Sequence, residues 1–197
     1  MTLLLIIGAY LLGSVPFAII SSRLFGLADP RQYGSGNPGA TNVLRSGNKA
    51  AALLTLVGDC AKGWLAVAAA SWLGFDAGTA ALAGLAAFLG HVFSVFLRGK
   101  GGKGVATALG VLAGIQPLIA LIALLTWIAV AVTTRYSSLA ALSAAAITPV
   151  AGIVLIDDPA VIGVLFLVTA VLFWRHAENI RRLRNGTEGR IGAGKKG

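Results

Sequence analysis

The sequence predicts an all-α integral membrane protein of about seven transmembrane helices, with the N-terminus outside and the C-terminus in the cytoplasm. Three observations predict it. Of the 197 residues, 57% are hydrophobic and only 12% charged, about half the charged share of an ordinary soluble domain. The apolar residues gather into runs of the length, about 20 residues, that a helix needs to cross the roughly 30 Å hydrocarbon layer. The basic residues fall almost entirely on one side of those runs, as they do in cytoplasmic loops.

The opening run MTLLLIIGAYLLGSVPFAIISSR lacks the basic start of a cleavable signal and exceeds a signal's apolar core. It is read as a retained first span, 2–22. The next spans are 49–73 and 77–97. The stretch 104–133 would be about 45 Å long as one helix. Gly114-Ile115-Gln116-Pro117 divides it into 104–115 and 117–133, with Pro117 opening the second part, although the first part is then short for a crossing. Spans 137–156 and 158–174 complete the set.

Charge decides the count. With seven spans, the inner segments 23–48, 98–103, 134–136 and the tail from 175, together with Lys49 at the inner edge of the second span, hold 15 of the 16 Lys and Arg residues, Lys195 and Lys196 among them. The outer turns carry only Asp76, Asp157 and Asp158. Six spans would place the basic tail opposite the other basic loops. The chain therefore reads as one polytopic membrane domain over 1–197. Its net charge of +9 belongs to this asymmetry and points to membrane lipid, not to nucleic acid. The single cysteine, Cys60, excludes a disulfide within the chain and cannot build a metal site alone.

Three polar segments share the inner face. Gly34-Ser35-Gly36-Asn37-Pro38-Gly39-Ala40-Thr41-Asn42-Val43-Leu44-Arg45 combines backbone freedom with small hydroxyl and amide side chains, and Arg45 adds a planar fork suited to phosphate. A solvated connector is the alternative, but this segment is long and lacks a linker's acids. Arg98-Gly99-Lys100-Gly101-Gly102-Lys103-Gly104 precedes a helix. Its glycines are expected to present N–H groups to an anion, with lysine charge beside them. The spacing is not that of a Walker A loop, and a topogenic basic cluster does not need four glycines. The third segment is 175–190. If the last helix continues into the cytosol, His176, Asn179, Ile180 and Leu183 share one face. Arg181 and Arg184 point away from it, toward anionic lipid, and Asn185-Gly186 ends the helix.

Within the spans, Asp59 and Lys62 stand three residues apart. An intramembrane ion pair is a functional candidate by default, and an anchor for a polar site explains it equally well. His91 reads as an interhelical hydrogen-bond partner. Asp29 reads as a loop charge. Acids are too few for a carboxylate metal site or for two-metal phosphoryl transfer, and no cofactor is implied. Hydroxyls, amides, cations and one histidine suit a site for more than one phosphate beside a hydrophobic cavity.

The motifs G-S-G-N-x-G-A-T-N-V-L-R at 34–45, G-K-G-G-K-G at 99–104 and R-H-x-x-N-I-x-R-L-x-x-G-x-E-x-R at 175–190 resemble, in this order, those of the bacterial acyl-phosphate:glycerol-3-phosphate acyltransferases, the PlsY family. The resemblance covers essentially the whole chain. It implies transfer of a fatty acyl group from acyl phosphate to the 1-hydroxyl of glycerol 3-phosphate, giving lysophosphatidic acid and inorganic phosphate, the first acylation of phospholipid synthesis. It also implies a bacterial plasma membrane location with the site facing the cytoplasm. On this reading Ser35, His176, Asn179 and Glu188 are the catalytic candidates. Ser35, Arg45, Lys103 and Asn179 hold glycerol 3-phosphate, with Asn37, Thr41 and Asn42 lining the same segment. Gly99, Lys100, Gly101, Gly102 and Gly104, with His176, receive the acyl phosphate or the charge developing on its carbonyl. Glu188 orients Arg45 or another cation. Either His176 or a donor phosphate oxygen takes the hydroxyl proton. Leu89, Phe93, Val95 and Phe96 are expected along the acyl chain. A transporter would place its polar groups at mid-membrane in repeated, broken helices, and a scaffold would not need the Ser/Asn/Gly segment.

Overall fold

A computed structural model describes residues 1–192, and Lys195 and Lys196 of the basic tail lie outside the described residues. All regular structure among the described residues is helical, with no strand. The helices are α1 (Thr2–Ser14), α2 (Phe17–Leu24), α3 (Ala40–Leu44), α4 (Lys49–Trp72), α5 (Ala77–Val92), α6 (Val105–Ile115), α7 (Pro117–Thr134), α8 (Ser137–Leu155), α9 (Pro159–Arg175) and α10 (Ala177–Arg184), with a short 3₁₀ turn at Val95–Leu97. Five segments are long and apolar enough to cross a membrane: Thr2–Leu24, Lys49–Trp72, Ala77–Leu97, Pro117–Thr134 and Ser137–Leu155. The pair α9 and α10, bent by 57°, makes a sixth when taken as one.

Local sequence sets the ends. Asn48, Asp76 and Asp158 cap α4, α5 and α9 by accepting backbone N–H groups of the first turn, as N-cap side chains do. Two of the three acids in the turns read as outer are therefore helix caps. Gln116 and Pro117 separate α6 from α7 as the sequence predicts. Pro16, which has no N–H to donate, breaks the first span. The carbonyls freed there are satisfied from elsewhere: Ser94 Oγ donates to Ser14 O at 2.6 Å, and Lys62 Nζ donates to Val15 O at 2.9 Å.

The chain forms two compact units, Met1–Pro117 and Leu118 onward. The first is held by small residues at helix crossings, because lipid offers no hydrophobic drive to pack one helix on another. A Cβ on Gly13 would strike the carbonyl of Ala87, one on Gly90 the carbonyl of Tyr10, and one on Gly110 the carbonyl of Cys60. In the α4–α6 contact, Gly63 faces the Thr107 carbonyl and Gly114 faces the Val67 side chain. Gly63 stands about 21 Å along α4 from Lys49, so α6 starts well up α4. Its 11 residues rise about 16 Å, too little for the whole hydrocarbon layer, yet enough to match the rest of α4.

In the second unit α8 and α9 pack together, with Gly152 admitting the Leu165 side chain and Thr169 Oγ1 donating to Ala145 O at 3.1 Å. The expected straight continuation of the last span is not found. The chain bends at His176, whose ring Nδ1 lies 2.8 Å from Leu172 O, and α10 sets off in a new direction. His176 and Asn179 are buried, whereas Ile180 and Leu183 are only half-buried.

Candidate functional site

In the first unit, the segment 34–45 is organised around Asn42, which is 2% exposed. Its Oδ1 accepts the Ser35 N–H at 2.9 Å and an Arg45 guanidinium N–H at 3.5 Å. Its Nδ2 donates to Pro30 O at 2.6 Å and Tyr33 O at 3.1 Å. Gly34 takes a φ of +61° and passes so close that a Cβ would strike Asn42 Oδ1. The Ser35, Thr41 and Arg45 side chains are exposed and Asn37 is half-buried. Arg31 pairs with Asp29 at 2.6 Å, and that guanidinium holds the Asp29 carboxyl below the usual carboxylate range.

The glycine loop does not present its own amides as the sequence suggests. Gly99 N–H donates to Ser94 O, Lys100 N–H to Leu97 O, Gly101 N–H to Val92 O and Gly102 N–H to His91 O, at 2.8 to 3.1 Å. The loop folds back onto the C-terminal end of α5, because that helix end offers unpaired carbonyls. The amides opening α6 have no partner four residues back in their own helix. Gly104, at φ +85°, turns the chain into α6 with the Phe88 ring where a Cβ would sit. Lys100 is exposed and Lys103 half-buried. Pro38 and Gly102 line one small cleft with Ser14, Ser94, Asp59, Lys62 and His91, which brings the first two polar segments together.

In the wall of that cleft Asp59 and Lys62 form an ion pair at 2.7 Å, with both side chains buried. His91 Nδ1 approaches Asp59 Oδ1 at 3.4 Å from α5, an interhelical contact longer than an ordinary hydrogen bond. Between α1 and α5 runs an apolar groove of about 460 Å³ lined by Ile6, Ile7, Tyr10, Leu11, Ala86, Leu89 and Phe93. Of the four residues expected along an acyl chain, Leu89 and Phe93 line it, whereas Val95 and Phe96 stand exposed outside it.

In the second unit, Glu188 gathers three donors: Ser138 Oγ at 2.7 Å, Asn179 Nδ2 at 2.6 Å and Arg182 Nε at 2.7 Å. The cation it pairs with is Arg182. Burial pushes the Glu188 carboxyl up, but these hydrogen bonds and the Arg182 charge outweigh it and hold the group below its ordinary value. Nearby, Ile191 N–H donates to Arg135 O at 2.7 Å and the Arg135 guanidinium donates back to Ile191 O at 2.9 Å, tying the tail to the α7–α8 turn. Leu172 O can only accept, so this contact is a hydrogen bond when His176 carries a hydrogen on Nδ1. Sequence reasoning missed Ser138 and Arg135, which lie 50 and 56 residues from their partners in the tail and carry no local signal. It read Arg181 and Arg184 as facing lipid and gave Arg182 no role of its own, although Arg182, three residues after Asn179, was within reach as the cation that Glu188 orients.

A family model described as glycerol-3-phosphate acyltransferase matches residues 3–186. A glycerol-3-phosphate acyltransferase of Aromatoleum aromaticum is 72% identical over 193 residues, covering 98% of each chain. One of Dechloromonas aromatica is 54% identical, covering 97% of this chain and 96% of the other. Among solved structures, the chain resembles the crystal structure of PlsY (YgiH), an integral membrane glycerol 3-phosphate acyltransferase, in its glycerol 3-phosphate form: TM-score 0.91, 40% identity, covering 97% of this chain and 96% of that one. Its lysophosphatidic acid form matches with a TM-score of 0.89 and 39% identity, covering 97% and 95%. The chain therefore belongs to the glycerol-3-phosphate acyltransferase family and is an integral membrane acyltransferase.

Proposed function

We propose that this protein transfers a fatty acyl group from acyl phosphate to the 1-hydroxyl of glycerol 3-phosphate, releasing lysophosphatidic acid and inorganic phosphate. The observation that carries the reading is the TM-score of 0.91 to an acyltransferase solved in a glycerol 3-phosphate form and also in a lysophosphatidic acid form, the acceptor and product of one acyl transfer. The donor is argued from chemistry. Acyl phosphate is an activated mixed anhydride whose leaving group needs little acid assistance, so the protein's work is to neutralise phosphate charge and to align a hydroxyl with a carbonyl.

Ser35, Arg45 and Lys103 bind the glycerol 3-phosphate phosphate, with Asn37 and Thr41 beside them. Asn42 acts by shaping the segment, because its amide is already engaged within the loop. Lys100 and the amides opening α6 receive the acyl phosphate, and the glycines let that helix start lie close to it. Asn179, its amide NH₂ directed to Glu188, turns its carbonyl oxygen toward a substrate hydroxyl. His176 Nε2 accepts the hydroxyl proton as the hydroxyl oxygen bonds to the acyl carbon and the carbon–phosphate-oxygen bond breaks. Glu188 positions Asn179 and Arg182. The groove along α1 and α5 takes the acyl chain and opens to lipid.

The same reading gives seven crossings with the N-terminus outside, in a bacterial plasma membrane with the site facing the cytoplasm. The short α6 is compatible with it: α6 lies alongside the second half of α4, with Gly63 against Thr107 and Gly114 against Val67.

The test is phosphate release from acyl phosphate by the purified protein in lipid, with and without glycerol 3-phosphate. Release that depends on glycerol 3-phosphate and is matched by lysophosphatidic acid is expected. No release from folded protein would overturn the reading. The same assay on His176→Gln should show a loss of about a hundredfold or more if the ring is the base. Near-normal turnover would assign that proton to the donor phosphate.

A further inference from the structure

We propose that the buried Asp59–Lys62–His91 network positions the glycine loop, and through it the phosphate-binding start of α6, so that His91 is a positioning residue of the reaction. The proposal rests on the acyl-transfer reading of that site. Three observations support it. The network is buried in the wall of the cleft, with Asp59 and Lys62 each 2% exposed and His91 8%. A buried ion pair is costly to desolvate and gives weak evidence of stability by itself, so its retention suggests a geometric task. The network also spans several chain segments. Lys62 holds Val15 O at the Pro16 break, Asp59 sits on α4, and His91 ends α5.

Finally, His91 holds the loop from two sides. Its carbonyl accepts the Gly102 N–H at 3.1 Å. Its ring Nε2 lies against the Gly102 α-carbon so closely that a Cβ there would collide with it, and a Cβ on Gly101 would strike the His91 carbonyl. Asp59 Oδ1 stands 3.4 Å from the ring Nδ1, and the ring is buried, which leaves it little room to swing away from the loop. Two residues after Gly102 the chain turns at Gly104 into α6, whose opening amides are the anion site. A displacement of about 1 Å at that site would cost on the order of a hundredfold in rate.

The experiment compares full-length wild type, His91→Phe (ring volume kept, ring N–H lost), His91→Gln (an amide donor restored) and the double variant Asp59→Asn with Lys62→Met, all in lipid. Two readouts are taken. Hydrogen exchange of the peptide spanning 99–107, against peptides from α8 and α9, reports the loop without using any substrate. Steady-state kinetics reports KM for acyl phosphate and for glycerol 3-phosphate.

The expected result for His91→Phe is faster exchange confined to 99–107 and a roughly tenfold to hundredfold loss in kcat/KM for acyl phosphate. His91→Gln should recover part of both. The double variant, in which no buried charge is left unpaired, should show the same loop signature without global loosening. Wild-type-like exchange at 99–107 would overturn the proposal. So would exchange rising equally in every peptide, or a loosened loop with unchanged kinetics. A wild type inert toward acyl phosphate would instead sink the functional reading, while the exchange data would still decide whether His91 holds the loop.

Discussion

At the scale of single residues, the carboxylates show how an apolar chain uses the few charges it has. The chain has seven acids, and six of them have a visible task. Asp76 and Asp158 cap helices, Asp29 closes a turn on Arg31, Glu178 pairs with Arg181 and Arg182, Asp59 anchors the buried network, and Glu188 gathers Ser138, Asn179 and Arg182. Glu188 ties folding to pH. Its folded pKa lies below the ordinary value, so the stability it contributes is fully present above the unfolded carboxylate value of about 4.3. That contribution is lost as pH falls through the lowered folded value. Glu188→Gln should lower Tm by a few degrees at pH 7, in keeping with about 1–3 kcal/mol for hydrogen bonds to a charged group. It should also flatten the decline of Tm as pH falls from about 5 through the lowered folded value. Melting curves of both proteins across that range provide the check, and parallel pH profiles would contradict the assignment.

At the scale of elements, glycine decides how close the helices come. Gly110 in α6 lies against the Cys60 carbonyl of α4 and cannot carry a Cβ there without moving backbone. Gly163 in α9 has open space where its Cβ would be. Gly110→Val should therefore destabilise by about 1–3 kcal/mol or more and reduce the yield of folded protein, whereas Gly163→Ala should behave as wild type. Size-exclusion profiles and thermal melts in lipid measure both. Equal behaviour of the two variants would mean that α4 and α6 do not pack as described. The elements also show which sequence signals were sufficient. Pro117 marked the α6–α7 boundary and Asn185-Gly186 the end of α10, because both act through local backbone chemistry. The bend at His176 was not legible. It depends on a ring nitrogen meeting Leu172 O, and a histidine after an apolar run is equally compatible with a straight helix. The inward turn of the loop amides was hidden for a related reason: a glycine pattern states what the backbone is free to do, and the carbonyls at the end of α5 decide what it does.

At the scale of the whole molecule, the prediction is topological. In a Cys60→Ser background, a cysteine at Asp157 should react with an impermeant maleimide only from the outer side. A cysteine at Thr187 should react only from the cytoplasmic side. Labelling in intact cells against inverted vesicles reads the difference, and both sites labelling from one side would refute seven crossings. The sequence by itself determined the membrane class, most helix limits and the three polar segments. Those properties follow from composition, run length and spacing, which are additive along the chain. The tertiary structure decided that α6 starts beside the middle of α4, that Asn42 and Glu188 organise their segments, and that Asp59, Lys62 and His91 form one network beneath the glycine loop. Each of these joins residues far apart in sequence through direct contact, and no local pattern encodes which distant carbonyl, carboxylate or ring a side chain will meet.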